Sequence, residues 1–293
     1  AVQRLRGGSA RVRSLKTQEL PLHLEALGLE PAPDVDAVLM IHGYGASAFS
    51  WRYWAPRLAQ RAHVVLVDLK GSGAAPKPDD GEYRPEDQAE LLHRLVVQRD
   101  LRRLTIVGHS LGGGIALLLA LRLQDEDEGR LSRLVLVASA AYEQRLPPFV
   151  GLARFRWLGV ALFRLFGARL VIEKVLRSIM YDPRAVSAEQ VEGYAAPLDD
   201  APARRALIDS ALNLVPEEID ALNARFSELA VPALILWGRH DRVVPLWVGE
   251  RLCEALPKAT LHVFEACGHL PAEEIPEESL ARLTAFLDET VAR

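Results

Sequence analysis

Cysteine is scarce in this sequence, and its apolar runs are short. Only Cys253 and Cys267 occur among 293 residues, which excludes a disulfide-rich scaffold, and their spacing matches no cysteine-based metal site. A bridge between the two is geometrically conceivable, but we expect two reduced thiols. In the most apolar region the longest clean run is WLGVALF, residues 157–163. A membrane-spanning helix needs roughly 20 apolar residues, so we expect no transmembrane segment.

Basic residues do not outnumber acidic ones, and few of them are lysine. The formal net charge of −4 at pH 7 excludes the positive excess typical of nucleic-acid-binding proteins. We therefore expect no nucleic-acid partner. No stretch has the pattern of a secretory signal peptide, which together with the low cysteine count leads us to expect a cytoplasmic protein. The composition, 49% hydrophobic and 25% charged, allows a sizeable buried core.

Short apolar segments alternate with helix-like segments through the first half of the chain. The apolar segments are residues 37–42, 63–68, 104–109 and 134–139, and helices are expected at 51–61, 85–99 and 111–124. Strands that are apolar on both faces and alternate with helices are typical of a mainly parallel sheet covered by helices. Upstream, residues 10–27 alternate between apolar and polar, which predicts an antiparallel pair. The predicted fold class is α/β.

The strand pattern stops after about residue 140 and resumes at residues 232–238. A helix near 246–256, a strand at 260–266 and a final helix from about 272 to 292 complete the second α/β region. The intervening block contains only helix-like stretches, as expected for an insertion over one edge of the sheet. We predict a core domain of residues 1–140 and 230–293, and a helical cap domain of residues 141–229.

The segment GHSLGG, residues 108–113, joins a predicted strand to a predicted helix through a single serine. Gly108 and Gly112 flank Ser110 because a Cβ there would clash as the strand and helix close up. Such a turn strains the serine backbone and projects its hydroxyl beyond the strand end. The free N–H groups of the following helix N-terminus favour an anion at the same place. The pattern predicts a nucleophilic serine.

A serine hydroxyl needs a base that accepts its proton and an acid that orients the base. Among the eight histidines, His269 follows the last predicted strand and so shares the sheet edge of Ser110. Asp241 follows the strand at residues 232–238, also at the carboxyl edge where open α/β sheets place their sites. Asp68, at the end of another strand, is the competing acid.

The order of these residues resembles that of the α/β-hydrolase superfamily, in particular its cap-bearing serine esterase and lipase-like branch. The motifs that carry the resemblance are HGYG (42–45), DLKGSG (68–73), GHSLGG (108–113), GRHDRVVP (238–245) and GHLPAEE (268–274). It covers about residues 10–140 and 230–292. The resemblance implies an eight-stranded, mostly parallel sheet whose second strand is antiparallel, flanked by helices, with the helical cap inserted after the sixth strand.

The resemblance also implies the roles of the site residues. Ser110 would be the nucleophile, His269 the base and Asp241 the acid, with no metal and no organic cofactor. The backbone N–H groups of Tyr44 and Leu111 would form the oxyanion hole. The remaining motif residues would have structural roles in the loop and the turn: His42, Gly43, Gly108 and Gly112.

Three functions are compatible with these residues. The first is hydrolysis of small carboxylic esters with short- to medium-chain, hydrophobic acyl groups through an acyl-enzyme. The alternative is hydrolysis of a carbon–carbon bond in ring-cleavage diketones, although similar enzymes often have Asn where His109 stands. A non-catalytic binding protein is the third, but such proteins usually lack a triad residue. Relatives that open epoxides or displace halide use aspartate in place of Ser110, which argues against both.

The predicted cap is the least informative part of the sequence. Residues 147–170 are apolar with interspersed arginines. They fit a helix that packs on the core with solvated arginines, and they also fit an apolar slot for an acyl chain with a basic rim against a lipid surface. The sequence makes no prediction about the oligomeric state.

Overall fold

The computed structural model describes residues 13–15, 20–32, 34–126, 129–145, 150–151 and 155–291, and one β-sheet lies at its centre. The strands are β1 Arg13–Leu15, β2 His23–Gly28, β3 Ala37–Ile41, β4 His63–Asp68, β5 Leu104–His109, β6 Leu131–Val137, β7 Ala233–Gly238 and β8 Ala259–Phe264. Their order in the sheet is β1-β2-β4-β3-β5-β6-β7-β8, and β2 runs antiparallel to both neighbours. The other pairs are parallel. The predicted eight-stranded, mostly parallel sheet is confirmed.

Helices connect the strands and fill the long interval between β6 and β7. The helices of the strand–helix alternation are α1 Ala55–Leu58, α2 Pro85–Gln98, α3 Leu111–Asp125, α8 Leu246–Ala255, α9 Pro271–Glu274 and α10 Pro276–Val291. Between β6 and β7 lie α4 Arg156–Ile179, α5 Ala188–Ala195, α6 Ala201–Leu212 and α7 Ile219–Ala224. We call residues 155–229 the helical insertion. It contains no strand in the described part of the chain.

Both faces of the sheet are buried. Strand β3 contributes Leu39 and Ile41 to an apolar cluster on one face, and Val38 and Met40 to a second cluster on the other. All four side chains are almost fully buried. Each such side chain contributes roughly 1.5–3 kcal/mol to folding, which explains why these strands are apolar at every position and not at alternate ones.

The prediction of a helix over residues 51–61 is wrong. The chain instead forms a 3₁₀ turn at Ala48–Trp51 and then the single turn of α1. Pro56 lies in the first turn of α1, where a missing N–H is tolerated. A continuous helix would place the proline ring against the carbonyl of Arg52 and remove one backbone hydrogen bond, so the helix cannot extend backwards.

Helix α4 is bent at Gly167, whose φ of 73° and ψ of 158° are far from helical values. A φ in this region is strained for any residue with a Cβ, so glycine permits the break. Parts of the arginine-rich apolar stretch, residues 147–149 and 152–154 and the side chains of 156–162, lie outside the described residues. Of the helices that are described, none combines the length and hydrophobicity needed to cross a bilayer.

Candidate active site

Ser110 forms the sharp turn between β5 and α3. Its φ of 52° and ψ of −119° are unusual for a residue other than glycine. The Ser110 N–H donates to the carbonyl of Val137 at 2.9 Å, and its carbonyl accepts from the N–H of Ala140 at 2.9 Å. A strained residue persists only where its surroundings over-determine its conformation. Here both backbone groups of Ser110 are held by the chain at the end of β6.

Gly108 and Gly112 let β5, α3 and β3 approach more closely than any side chain would allow. A Cβ on Gly108 would lie 2.4 Å from the carbonyl oxygen of Gly112. A Cβ on Gly112 would lie 2.4 Å from the carbonyl oxygens of Ile41 and His42. The first turn of α3 is therefore pressed against the end of β3, next to the loop that contains Tyr44.

His269 and Asp241 form a buried hydrogen-bonded pair. The His269 Nδ1–H donates to Asp241 Oδ2 at 2.8 Å, and the Asp241 side chain is fully buried. Asp241 Oδ1 accepts from the N–H groups of Val243 at 2.7 Å and Val244 at 2.9 Å. An ionised carboxylate can only accept, so Nδ1 carries the proton and Nε2 is left as a base.

The loop around His269 is held by Glu274, a residue whose role sequence reasoning missed. The Glu274 carboxylate accepts from the N–H groups of Gly268 at 3.1 Å and Leu270 at 2.9 Å, on either side of His269. The His269 N–H donates to the carbonyl of Ile179, at the end of α4, at 3.0 Å. The sequence feature that could have indicated this role is an acidic residue in the first turn of a helix that directly follows the candidate base.

His109 and His42 are buried beside the site and hold its loops. His109 Nε2–H donates to the carbonyl of His269 at 2.9 Å, and burial lowers the pKa of His109 to about 3. His42 Nδ1–H donates to the carbonyl of Gly43 at 2.8 Å, while Nε2 accepts from the N–H of Leu69 at 3.1 Å. Burial also lowers the pKa of His42. Both rings are therefore neutral, and their hydrogen bonds fix the positions of the loops around the site.

Two backbone N–H groups border Ser110. Neither the N–H of Tyr44 nor that of Leu111 donates a hydrogen bond to another described residue. Tyr44 and Leu111 line the same cavity as Ser110 and His269. A Cβ on Gly43 would lie 3.1 Å from the Cβ of Ser110, which shows how closely the Tyr44 loop passes the serine. Two such N–H groups beside a nucleophile can stabilise an oxyanion.

The competing acid, Asp68, does not contact His269. Its two carboxylate oxygens accept from the N–H groups of Ala48 at 2.7 Å and Ala74 at 2.8 Å. These bonds hold the loops that follow β3 and β4. The structure therefore brings Asp241, and not Asp68, to His269.

A cavity of about 260 Å³ lies between the sheet edge and the helical insertion. Ser110 and His269 border it from the core, and Val175, Leu198 and Leu207 border it from the insertion. Most of its lining is aliphatic or aromatic, and the described lining residues include no Asp, Glu, Lys or Arg. The cavity is therefore suited to an uncharged, apolar group next to the Ser110 hydroxyl.

The described residues offer no site for a metal ion. No three His, Cys, Asp or Glu side chains among them are grouped so that they could hold one. The two cysteines are both free thiols, as expected. Burial raises the pKa of the Cys267 thiol well above its usual range, so this thiol stays protonated and unreactive.

Comparisons with known proteins find a matching family model and several similar proteins. A family model described as alpha/beta hydrolase fold matches residues 36–276. The chain is 30% identical over 244 residues to 2-hydroxy-6-oxononadienedioate/2-hydroxy-6-oxononatrienedioate hydrolase of Cupriavidus pinatubonensis (strain JMP 134 / LMG 1197), covering 80% of each chain.

Two solved structures are also similar to the chain. That of 2-hydroxy-6-oxo-6-phenylhexa-2,4-dienoate hydrolase from Rhodococcus sp. strain RHA1 has a TM-score of 0.79 at 25% identity, covering 96% of this chain and 99% of the other. That of a candidate lipase from Acinetobacter baumannii AYE has a TM-score of 0.77 at 25% identity, covering 97% and 92%. By name, the similar proteins thus include a dienedioate hydrolase, a dienoate hydrolase and a candidate lipase.

Proposed function

The chain belongs to the α/β-hydrolase family, and on that premise we propose that it is a serine esterase. Ser110 is the nucleophile, His269 the general base and Asp241 the acid that orients His269. The observation that carries the proposal is the buried hydrogen bond between His269 and Asp241, beside an apolar cavity that Ser110 also borders.

The reaction proceeds through an acyl-enzyme. The Ser110 Oγ bonds to the ester carbonyl carbon while His269 Nε2 accepts the hydroxyl proton. The N–H groups of Tyr44 and Leu111 stabilise the negative charge on the carbonyl oxygen of the tetrahedral intermediate. The ester C–O bond then breaks, and His269 donates its proton to the departing alcohol. Water, deprotonated by His269, attacks the acyl-enzyme, and the carboxylic acid leaves as Ser110 regains its proton.

The aliphatic lining of the cavity favours short- to medium-chain acyl groups. Each CH₂ group that is buried there contributes about 0.8 kcal/mol, or roughly fourfold in kcat/KM, until the cavity is full. The helical insertion supplies much of this lining, including Val175, Leu198 and Leu207. We therefore also propose that residues 141–229 act as a cap domain over a core of residues 1–140 and 230–293.

Hydrolysis of a carbon–carbon bond is the second candidate, because relatives named for dienoate and dienedioate substrates share the fold. Such substrates carry one or two carboxylates. Burying a carboxylate without a cationic partner is strongly unfavourable. Because the described lining residues include no Lys or Arg, a neutral ester fits the cavity better than a dienedioate does.

The proposal is tested with a series of nitrophenyl esters from acetate to dodecanoate. We expect kcat/KM to rise with chain length and then to level off or fall. Ser110→Ala is expected to lower kcat by at least about 10³-fold, because the covalent step is lost. Ser227→Ala is the matched control and should retain full activity, because this exposed serine bonds through its hydroxyl to the carbonyl of Ala224 and to no other described residue.

Two results would contradict the esterase proposal. One is the absence of hydrolysis at every chain length, and the other is an Ser110→Ala variant with near wild-type rates. If a vinylogous diketone were cleaved much faster than every ester, with the same dependence on Ser110, carbon–carbon bond hydrolysis would become the favoured function.

A further inference from the structure

Three large apolar side chains of the helical insertion are exposed close to the bend in α4. Leu165 is 76% exposed, Phe166 53% and Leu170 41%. Single exposed apolar residues are ordinary, but a group of large ones on one short stretch marks a surface that meets an apolar partner. We call Leu165, Phe166 and Leu170 the apolar patch.

The sequence segment that contains the apolar patch is positively charged, although the chain as a whole is acidic. Between Arg145 and Ile172 the sequence has five arginines and no acidic residue, against a net charge of −4 for the whole chain. Two of these arginines, Arg164 and Arg169, are exposed beside the patch. Arg169 pairs with Glu192 at 2.8 Å, whereas Arg164 forms no ion pair with any described residue.

The same stretch of α4 also borders the cavity. Phe163, Val171 and Ile172 line it, although they lie within a few residues of the apolar patch in sequence. One short segment thus has apolar side chains in the cavity and apolar side chains on the outer surface.

We propose that the apolar patch inserts into the surface of an anionic lipid bilayer, with Arg164 against lipid phosphates. Exposed Leu and Phe beside Arg is the composition of helices that lie in the membrane interface. Negatively charged lipid complements the positive segment. A symmetric contact between two copies of the chain would instead bring two such positive segments together. The binding itself does not depend on the proposed esterase chemistry, although it places the ester substrate in a lipid phase.

Co-sedimentation with vesicles tests this proposal on the full chain. One set contains equal amounts of phosphatidylglycerol and phosphatidylcholine, and the other only phosphatidylcholine. We expect binding to the anionic set that weakens as the salt concentration rises. The double variant Leu165→Ser/Phe166→Ser and the single variant Arg164→Glu should each bind at least about tenfold more weakly. Leu29→Ser/Val97→Ser, which changes exposed apolar residues elsewhere, should bind like wild type.

Hydrolysis of a water-soluble nitrophenyl ester is measured on each variant and should be unchanged, which shows that the variants are folded. The proposal is overturned if the wild type prefers neither vesicle set, or if the patch variant binds as well as wild type. It is also overturned if light scattering finds a dimer that the patch variant dissociates and vesicles do not bind. Vesicle binding without ester hydrolysis would instead refute the esterase proposal alone.

Discussion

The His109 side chain packs against the His269 ring, with ring centroids 4.8 Å apart, and stays neutral over a wide pH range. Burial lowers the pKa of His109 from 6.5 to about 3. Below pH 6.5 the unfolded chain therefore takes up a proton that the folded protein does not. The stabilisation from His109 is complete above pH 6.5 and is lost as the pH falls towards 3, at up to about 1.4 kcal/mol per pH unit.

We predict that His109→Asn makes the stability less dependent on pH. An Asn amide can still donate to the carbonyl of His269, but it does not titrate. Urea unfolding of both proteins at pH 4.5, 5.5, 6.5 and 7.5 measures the slope. His42 is present in both proteins, so its contribution to the pH dependence of stability cancels in the comparison. The wild-type free energy of unfolding should fall more steeply below pH 6.5, and parallel curves would show that His109 does not contribute to the pH dependence.

The carboxylates of Asp241 and Asp68 are both buried at strand ends, but only Asp241 reaches His269. In Asp241→Asn the amide would donate towards His269 and favour the wrong tautomer, so we predict a fall in kcat of about 10⁴-fold with little change in KM. Asp68→Asn should instead lower the melting temperature, because the loops at Ala48 and Ala74 lose an acceptor, while kcat stays close to wild type. Steady-state kinetics and thermal unfolding of both variants separate these roles, and the opposite pattern would make Asp68 the catalytic acid.

At the scale of elements, helix α5 of the helical insertion hydrogen-bonds to a buried ion pair between two residues outside the insertion. Arg52 Nη2 lies 2.6 Å from Glu273 Oε2, and both side chains are less than 10% exposed. Gln190 of α5 donates to the same carboxylate at 3.0 Å, and the Tyr194 hydroxyl donates to its other oxygen. Burial raises the pKa of Glu273, while the guanidinium of Arg52 acts in the opposite direction. Three parts of the chain thus meet at the Glu273 carboxylate: the segment that follows the 3₁₀ turn at Ala48–Trp51, helix α9 and helix α5.

We predict that replacing one partner of this pair lowers the stability of the protein much more than replacing both partners does. Glu273→Gln leaves the Arg52 charge buried without a counter-charge and should cost about 3–5 kcal/mol of stability. The double variant Arg52→Met/Glu273→Gln removes the charge as well and should recover most of that loss. Urea unfolding of both single variants and the double variant measures the coupling energy. Strictly additive effects would mean that the two side chains do not act as a pair.

Local patterns predicted most of the elements, because buried parallel strands must be apolar at every position. The same patterns predicted that Ser110, Asp241 and His269 lie at one edge of the sheet, because the carboxyl ends of parallel strands share an edge. The prediction of a helix over residues 51–61 was wrong because it relied on the helix-like composition of this stretch and gave too little weight to Pro56, which restricts where a helix can begin. The role of Glu273 could not be assigned, because its partners Arg52 and Gln190 come from distant elements and leave no periodic signal in the sequence.

For the whole molecule, we expect the absence of charge from the described lining of the cavity to determine which acyl groups the proposed esterase accepts. 4-Nitrophenyl pentanoate and the mono-4-nitrophenyl ester of glutaric acid have acyl chains of similar length, and only the second carries a carboxylate. We predict that kcat/KM at pH 7.5 favours the pentanoate by at least about 100-fold, because the carboxylate loses its water without gaining a cation.

The pH dependence of this ratio identifies its cause. As the pH falls towards the carboxyl pKa of the substrate, near 4.3, the glutarate ester becomes neutral and the ratio should narrow. The same enzyme is measured with both substrates at each pH, so any effect of pH on the protein itself affects both rates alike. A ratio near one at pH 7.5 would mean that the protein provides a cation to the acyl end, and it would favour dicarboxylate substrates over neutral esters.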